Sequence, residues 1–229
     1  MSFEEQHMTL LLEYEDSATE IERALFTNRH RLSDKQYSLL AVQSISILYS
    51  YWEGYVQKSF QLYIDYLNRE NVPLFSFSPG IITHGFEHEF KQLKAYPKEL
   101  KKKSKLYCEL KRFFKEDYHE LFRIVNTESN VGFKVLNNLL EQFSLAPFPE
   151  CWDKYKYPNP NLKVMLETFL RYRNGVAHGG DISSEEKINK EVYAKYRILL
   201  IDLMYEMHNK FVFGLEHTTY LQKGIENHG

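Results

Sequence analysis

The chain has 229 residues and a formal charge of −2, from 29 Lys and Arg against 31 Asp and Glu. Hydrophobic residues make up 43% and charged residues 26%, which excludes a mainly disordered chain; the charge balance excludes a globally basic nucleic-acid coat but leaves room for a local patch. With 10 Gly and 7 Pro the chain is too poor in turn residues for a sandwich or barrel, and it is long enough to bury a full core without disulfide or metal staples.

Helical periodicity runs through the text. A first helix is expected from Glu4 to Asn28. Ser33-Asp34-Lys35-Gln36 then reads as a capping box that opens a helix lasting to about Asn68. Leu48, Trp52, Tyr55, Val56, Tyr63 and Leu67 recur on it at steps of three and four, a wide apolar face that marks a central helix. Gly54 inside it costs about 1 kcal/mol against Ala unless a neighbour needs the space. Asn71-Val72-Pro73 ends this helix. Residues 72–85, with Pro73, Pro79, Gly80 and Gly85, read as a loop, and shorter helices are expected near 86–95, 98–117 and 131–143.

Pro147, Pro149, Pro158 and Pro160 break the chain next. Asn159 and Pro160 read as N-cap and first helical residue of a helix from about Asn161 to His178, with Leu162, Met165, Leu166, Phe169 and Leu170 inward. Gly179-Gly180 reads as its stop, and Ser183 with Glu186 as a further capping box. Ile188, Val192, Tyr196, Leu199, Leu203, Met207 and Phe211 form the stripe of a last long helix. The expected fold class is all-α: a bundle of long antiparallel helices carrying an inserted group of short ones, in one domain with a core of about 1–71 and 159–215 and an insert of about 72–150.

Cys108 and Cys151 make neither a disulfide framework nor a zinc knuckle. The N-terminus lacks an apolar signal region and no run of 18 apolar residues occurs. The expectation is a cytoplasmic protein in a reducing compartment.

Chemistry concentrates in Arg171-Tyr172-Arg173-Asn174-Gly175-Val176-Ala177-His178. At about 100° per residue, Arg173, Asn174 and His178 share one side of the helix, and Asn174 and His178 form an i,i+4 pair. A guanidinium grips a phosphate in a fork and stabilises growing negative charge. An imidazole takes or gives a proton near neutral pH. Arg-x4-His alone is a weak signal; requiring Asn directly after the Arg cuts the chance expectation to roughly 0.02. The bland alternative is a helix end with His near the negative dipole terminus and Arg on a solvated face.

Arg173-Asn174-x-x-x-His178 before Gly, late in an all-α text and succeeded by one more long helix, resembles the HEPN superfamily (higher eukaryotes and prokaryotes nucleotide-binding). Tyr51-Trp52-Glu53-Gly54-Tyr55-Val56 and Asn126-Thr127-Glu128-Ser129-Asn130 are similar to its MAE-type, RiboL-PSP-like subgroup, and the likeness spans most of residues 35–210. The resemblance implies a metal-independent endoribonuclease without cofactor, a toxin or antiphage-defence effector. It implies a homodimer whose two motif helices meet at a seam, with Arg173, Asn174 and His178 as catalytic residues. It also implies RNA as substrate and a cognate antitoxin protein as partner. Some relatives carry a modified Tyr two residues after the His, where this chain has Gly180.

Three further candidates are legible. Glu53, a carboxylate on a largely apolar helix, wants a partner, and Arg173 or His178 is expected to supply it, with Gly54 suited to a close helix approach, even across a dimer. Lys101, Lys102, Lys103, Lys105 and Arg112 belong to a local cationic excess fit to track an RNA backbone, against the reading of a solvated charged face. Nearby Tyr107, Phe113 and Phe114 are expected to pack rather than to stack bases. His84-Gly85-Phe86-Glu87-His88 fits the text of an inverzincin signature, a remote zinc-hydrolase alternative. A non-catalytic RNA-binding or scaffold protein is the other alternative.

Overall fold

The computed structural model describes residues 1–27, 32–90, 96–115, 119–152, 161–177 and 188–222. Among these, seven α-helices run in chain order: α1 (Phe3–Phe26), α2 (Asp34–Arg69), α3 (Pro79–Glu89), α4 (Leu100–Phe113), α5 (Phe133–Gln142), α6 (Leu162–Ala177) and α7 (Lys190–Glu216). A 3-10 turn, Leu74–Ser76, precedes α3.

The starts of the long helices are written in side chains. Ser2 with Glu5 and Ser33 with Gln36 both close capping boxes, satisfying two of the orphan N–H groups that a helix leaves at its start. α6 is capped by Asn161, whose side chain accepts from the Val164 N–H at 3.0 Å; the expected Asn159–Pro160 pair lies outside the described residues. Asn189 caps α7 through the Val192 N–H, and the Gly179-Gly180 stop and the Ser183–Glu186 box are likewise outside the described residues.

α2 is the centre of the bundle. It packs on α1, α6 and α7, and Leu48, Trp52, Tyr55, Val56, Tyr63 and Leu67 are all buried. A helix that is apolar nearly all round has neighbours on every side. Gly54 serves one of them: a Cβ there would sit 2.9 Å from the Tyr14 hydroxyl of α1. The close helix approach expected at Gly54 is made within the chain, between α2 and α1.

Buried polar groups tie the long helices in register. The Tyr55 hydroxyl donates to the Met204 carbonyl and the Tyr193 hydroxyl to the Ala18 carbonyl, both at 2.9 Å. His7 of α1 and His208 of α7 stack, with their Nδ1 atoms 2.9 Å apart. One of the two is the donor and the other the acceptor. Burial, and then the neighbouring His208, push His7 down to about 3.

The middle of the chain departs from expectation at one place. Residues 72–85 are not one loop, because α3 begins at Pro79 and contains both glycines. Proline at the first helical position is preorganised there, and Gly80 is demanded by packing: a Cβ would lie 2.3 Å from the Gln142 carbonyl oxygen. The expected helix at 86–95 is thus the C-terminal half of α3, which ends at Glu89; residues 91–95 lie outside the described residues. Asn68 anchors the segment around Leu121 to α2, donating to the Leu121 carbonyl at 3.0 Å and accepting from its N–H at 2.8 Å.

Candidate active site

α6 places Phe169 and Arg173 one turn apart on the side that meets α2. Both lean on Tyr49: the rings of Tyr49 and Phe169 are 6.1 Å apart, and the Arg173 guanidinium carbon lies 4.7 Å from the Tyr49 ring centre. A guanidinium over a tyrosine face is held by the ring quadrupole. Arg173 Nη1 also donates to Asn174 Oδ1 at 2.9 Å. Two adjacent residues of the motif are therefore joined, and the guanidinium is fixed by a shelf below and an amide beside it. His178 lies outside the described residues, one turn beyond Asn174 in sequence.

Tyr49 is almost fully buried and accepts from the Val131 N–H at 2.9 Å. Burial pushes its hydroxyl up to about 12; the Val131 hydrogen bond pulls back, Glu53 pushes further up and Arg173 pulls down. It is a neutral shelf at any physiological pH. Trp52 donates from Nε1 to the Val131 carbonyl at 2.9 Å. Both polar groups of the Val131 peptide are thus taken by α2 side chains, and the loop before α5 is locked to α2.

That loop delivers Thr127 to Glu53. The Thr127 hydroxyl donates to Glu53 Oε1 at 2.9 Å and accepts from Gln57 Nε2 at 3.0 Å. The loop holds Glu128 and Ser129 in the left-handed region, at φ 53° and 51°, an uncommon cost for residues with a Cβ. Asn126 Oδ1 accepting from the Glu128 N–H, and the Thr127 carbonyl accepting from the Asn130 N–H, offset it. Among the described residues Glu53 takes its hydrogen bond from Thr127, has Tyr49 as a neighbour and makes no ion pair with Arg173; His178, the other expected partner, lies outside them. Arg173 instead meets the Tyr49 ring and the Asn174 amide.

Thr127 belongs to the 126–130 run quoted above, whereas Tyr49, Gln57 and Val131 carried no such signal. Tyr49 stands four residues before Glu53 and Gln57 four after it, so helical spacing alone could have found both; only the folded loop brings Thr127 and Val131 to them. A groove of about 960 Å³ opens at Thr127, walled by His84, Glu87, His88, Phe122, Asn126 and Ser129 among others.

The cationic candidates are apart from this centre, whereas His84 and His88 wall the groove that opens at Thr127. Lys101, Lys102, Lys105 and Arg112 lie exposed on α4, and Lys103 is half-buried over the Tyr96 ring. Phe113 packs as expected and so does Phe114, against Phe75 and Phe86, whereas Tyr107 is 67% exposed, which corrects the expectation that it packs. The reason is the helix wheel: Leu106 and Phe113 point one way, and Tyr107 is turned about 100° from Leu106. His84 and His88 lie on α3, not in a loop. His84 is buried with Nε2 against the Phe122 carbonyl at 2.7 Å, and His88 stacks on the Phe122 ring. Among the described residues no group of three or more His, Cys, Asp or Glu is placed to hold a metal ion.

No helix among the described residues is long and apolar enough to cross a membrane. A family model described as RiboL-PSP-HEPN matches residues 10–212. No curated protein and no solved structure matches the chain.

Proposed function

The chain belongs to the RiboL-PSP-HEPN family, whose members have nuclease or RNA-binding roles, and from that premise we propose that it is a metal-independent endoribonuclease. The observation that carries the reading is the fixed Arg173 guanidinium, braced by Tyr49 and Asn174. A preorganised donor fork aimed at developing charge does not have to reorganise as the reaction proceeds.

The reaction is attack of a ribose 2′-hydroxyl on the adjacent phosphorus. The new O–P bond forms as the P–O5′ bond breaks, leaving a 2′,3′-cyclic phosphate and a 5′-hydroxyl. A base removes the 2′ proton and an acid returns one to the leaving oxygen. One imidazole cannot easily do both in one turnover, whereas a two-fold seam brings His178 from each of two protomers. Arg173 stabilises the pentacoordinate phosphorane, Asn174 orients Arg173, and Glu53 holds Thr127 and Tyr49 around it. The homodimer, the toxin or defence role and an antitoxin partner belong to this proposal.

The test is cleavage of RNA in excess EDTA by wild type, His178→Ala and Arg173→Ala, with oligomeric state monitored by light scattering. Wild type is expected to leave cyclic phosphate ends, and each variant to lose at least a hundredfold in rate as a folded dimer. Cleavage surviving His178→Ala would overturn the reading, and a wild type that binds RNA but never cuts it returns the protein to the family's binding role.

A further inference from the structure

The cations of this protein are not spread evenly. Residues 98–115 carry eight Lys and Arg and two Glu, a net of +6 in a chain whose total is −2, so everything else carries −8. Such segregation is a local field for a polyanion. The stretch is α4 and its approach, and α4 has an unusual attachment. Its C-terminal end enters an aromatic cluster, with Phe113 5.5 Å from Phe86 and 5.2 Å from Phe90, and Phe114 stacked on Phe75 at 5.7 Å. The face opposite Leu106 and Phe113 looks outward.

Around the rest of the helix and just past its end Lys101, Lys105, Lys111, Lys115 and Tyr107 are all exposed, with Lys105 3.7 Å from Glu109. Tyr107 and Lys111 are an i,i+4 pair, so ring and ammonium are neighbours. Phosphate-seeking cations beside a ring open to solvent are the two halves of single-strand recognition; duplex bases, already stacked, have no use for the ring. A membrane-surface helix needs its apolar face outward. Here that face is the one turned into the protein, through Leu106 and Phe113. The run from Lys101 to Lys115 spans about 21 Å, room for a few nucleotides.

We propose that α4 is a docking platform for single-stranded RNA, with lysines on its phosphates and Tyr107 stacked on a base. This rests on the reading of RNA as the ligand, and it adds the unpaired character of the substrate and the residues that select it.

The test uses wild-type protein and a fluorescent 2′-O-methyl 20-mer of uridine, which has no free 2′-hydroxyl and so cannot be cut, read by anisotropy over a salt series. Replacing Lys101, Lys105, Lys111 and Lys115 together by Gln is expected to weaken binding by about tenfold and to flatten the salt slope by roughly 2.8, at about 0.7 per phosphate contact. Tyr107→Ala is expected to weaken it by about fivefold with the slope unchanged, and to leave weaker binding of a matched duplex as it was. Both changes are on the surface, and thermal melts verify the fold. Variants that bind like wild type overturn the proposal. So do equal affinity for duplex, no binding by wild type, or loss of binding to phosphatidylserine vesicles with RNA binding intact. If wild type cleaves RNA and the variants bind and cleave as it does, the platform falls and the nuclease stands. If wild type never cleaves but the binding losses appear, the nuclease falls and the platform stands.

Discussion

Acid should loosen the seam between α1 and α7 through His7 and His208. His7 is held down to about 3, first by burial and then by His208, while in an unfolded chain it titrates at the ordinary histidine value of 6.5. The unfolded state therefore binds the proton first as pH falls, and stability drops from about pH 6.5 down to about pH 3. Each unit in that window costs about 1.4 kcal/mol, so by pH 4.5 the loss from His7 is roughly 2.7 kcal/mol. Against a typical total of about 5–15 kcal/mol that is a large fraction. His208, also lowered by burial and pulled back by Glu4, adds to the same side. A first proton leaves the Nδ1–Nδ1 hydrogen bond intact as donor and acceptor; a second sets two N–H donors against each other at 2.9 Å. Other groups titrate here too, so the measurement is a difference: urea unfolding of wild type and of His7→Leu/His208→Leu at pH 7 and pH 4.5. The gap between the two proteins should shift by at least about 2.7 kcal/mol in favour of the variant on acidification. A gap that stays constant across those pH values refutes the reasoning.

The site and its supports give four further expected outcomes. Tyr49→Phe keeps the ring under Arg173 but leaves the Val131 N–H without its acceptor; stability should fall by about 1–2 kcal/mol in urea with cleavage within a few fold of wild type. Tyr49→Leu removes the shelf, and kcat for RNA cleavage should fall at least tenfold; equal rates for the Phe and Leu variants would sink the shelf argument. Trp52→Phe strands the buried Val131 carbonyl and should cost about 1–3 kcal/mol by thermal or urea unfolding. Gly80→Ala, forced toward the Gln142 carbonyl, should cost more than about 2 kcal/mol, and a neutral result would show that α3 and α5 can separate freely.

The sequence by itself determined the helices, the inward stripes and the residues that bear the resemblance. Ser33-x-x-Gln36 and the Leu48 to Leu67 periodicity are local facts of spacing, and local spacing is what a helix obeys. Arg173-Asn174 was legible for the same reason, being two neighbours on one helix. α3 was misplaced because Gly80 and Gly85 look like loop residues until Gln142 is seen pressing on the backbone at Gly80. Only the tertiary structure decided which partner Glu53 takes, because Thr127 stands 74 residues away in the chain and arrives through a loop held by Tyr49 and Trp52. The same holds for the outward ring of Tyr107 and the ring under Arg173. A side chain's surroundings are fixed by which elements pack, and burial and hydrogen-bond satisfaction across distant segments are properties of the whole fold rather than of any window of text.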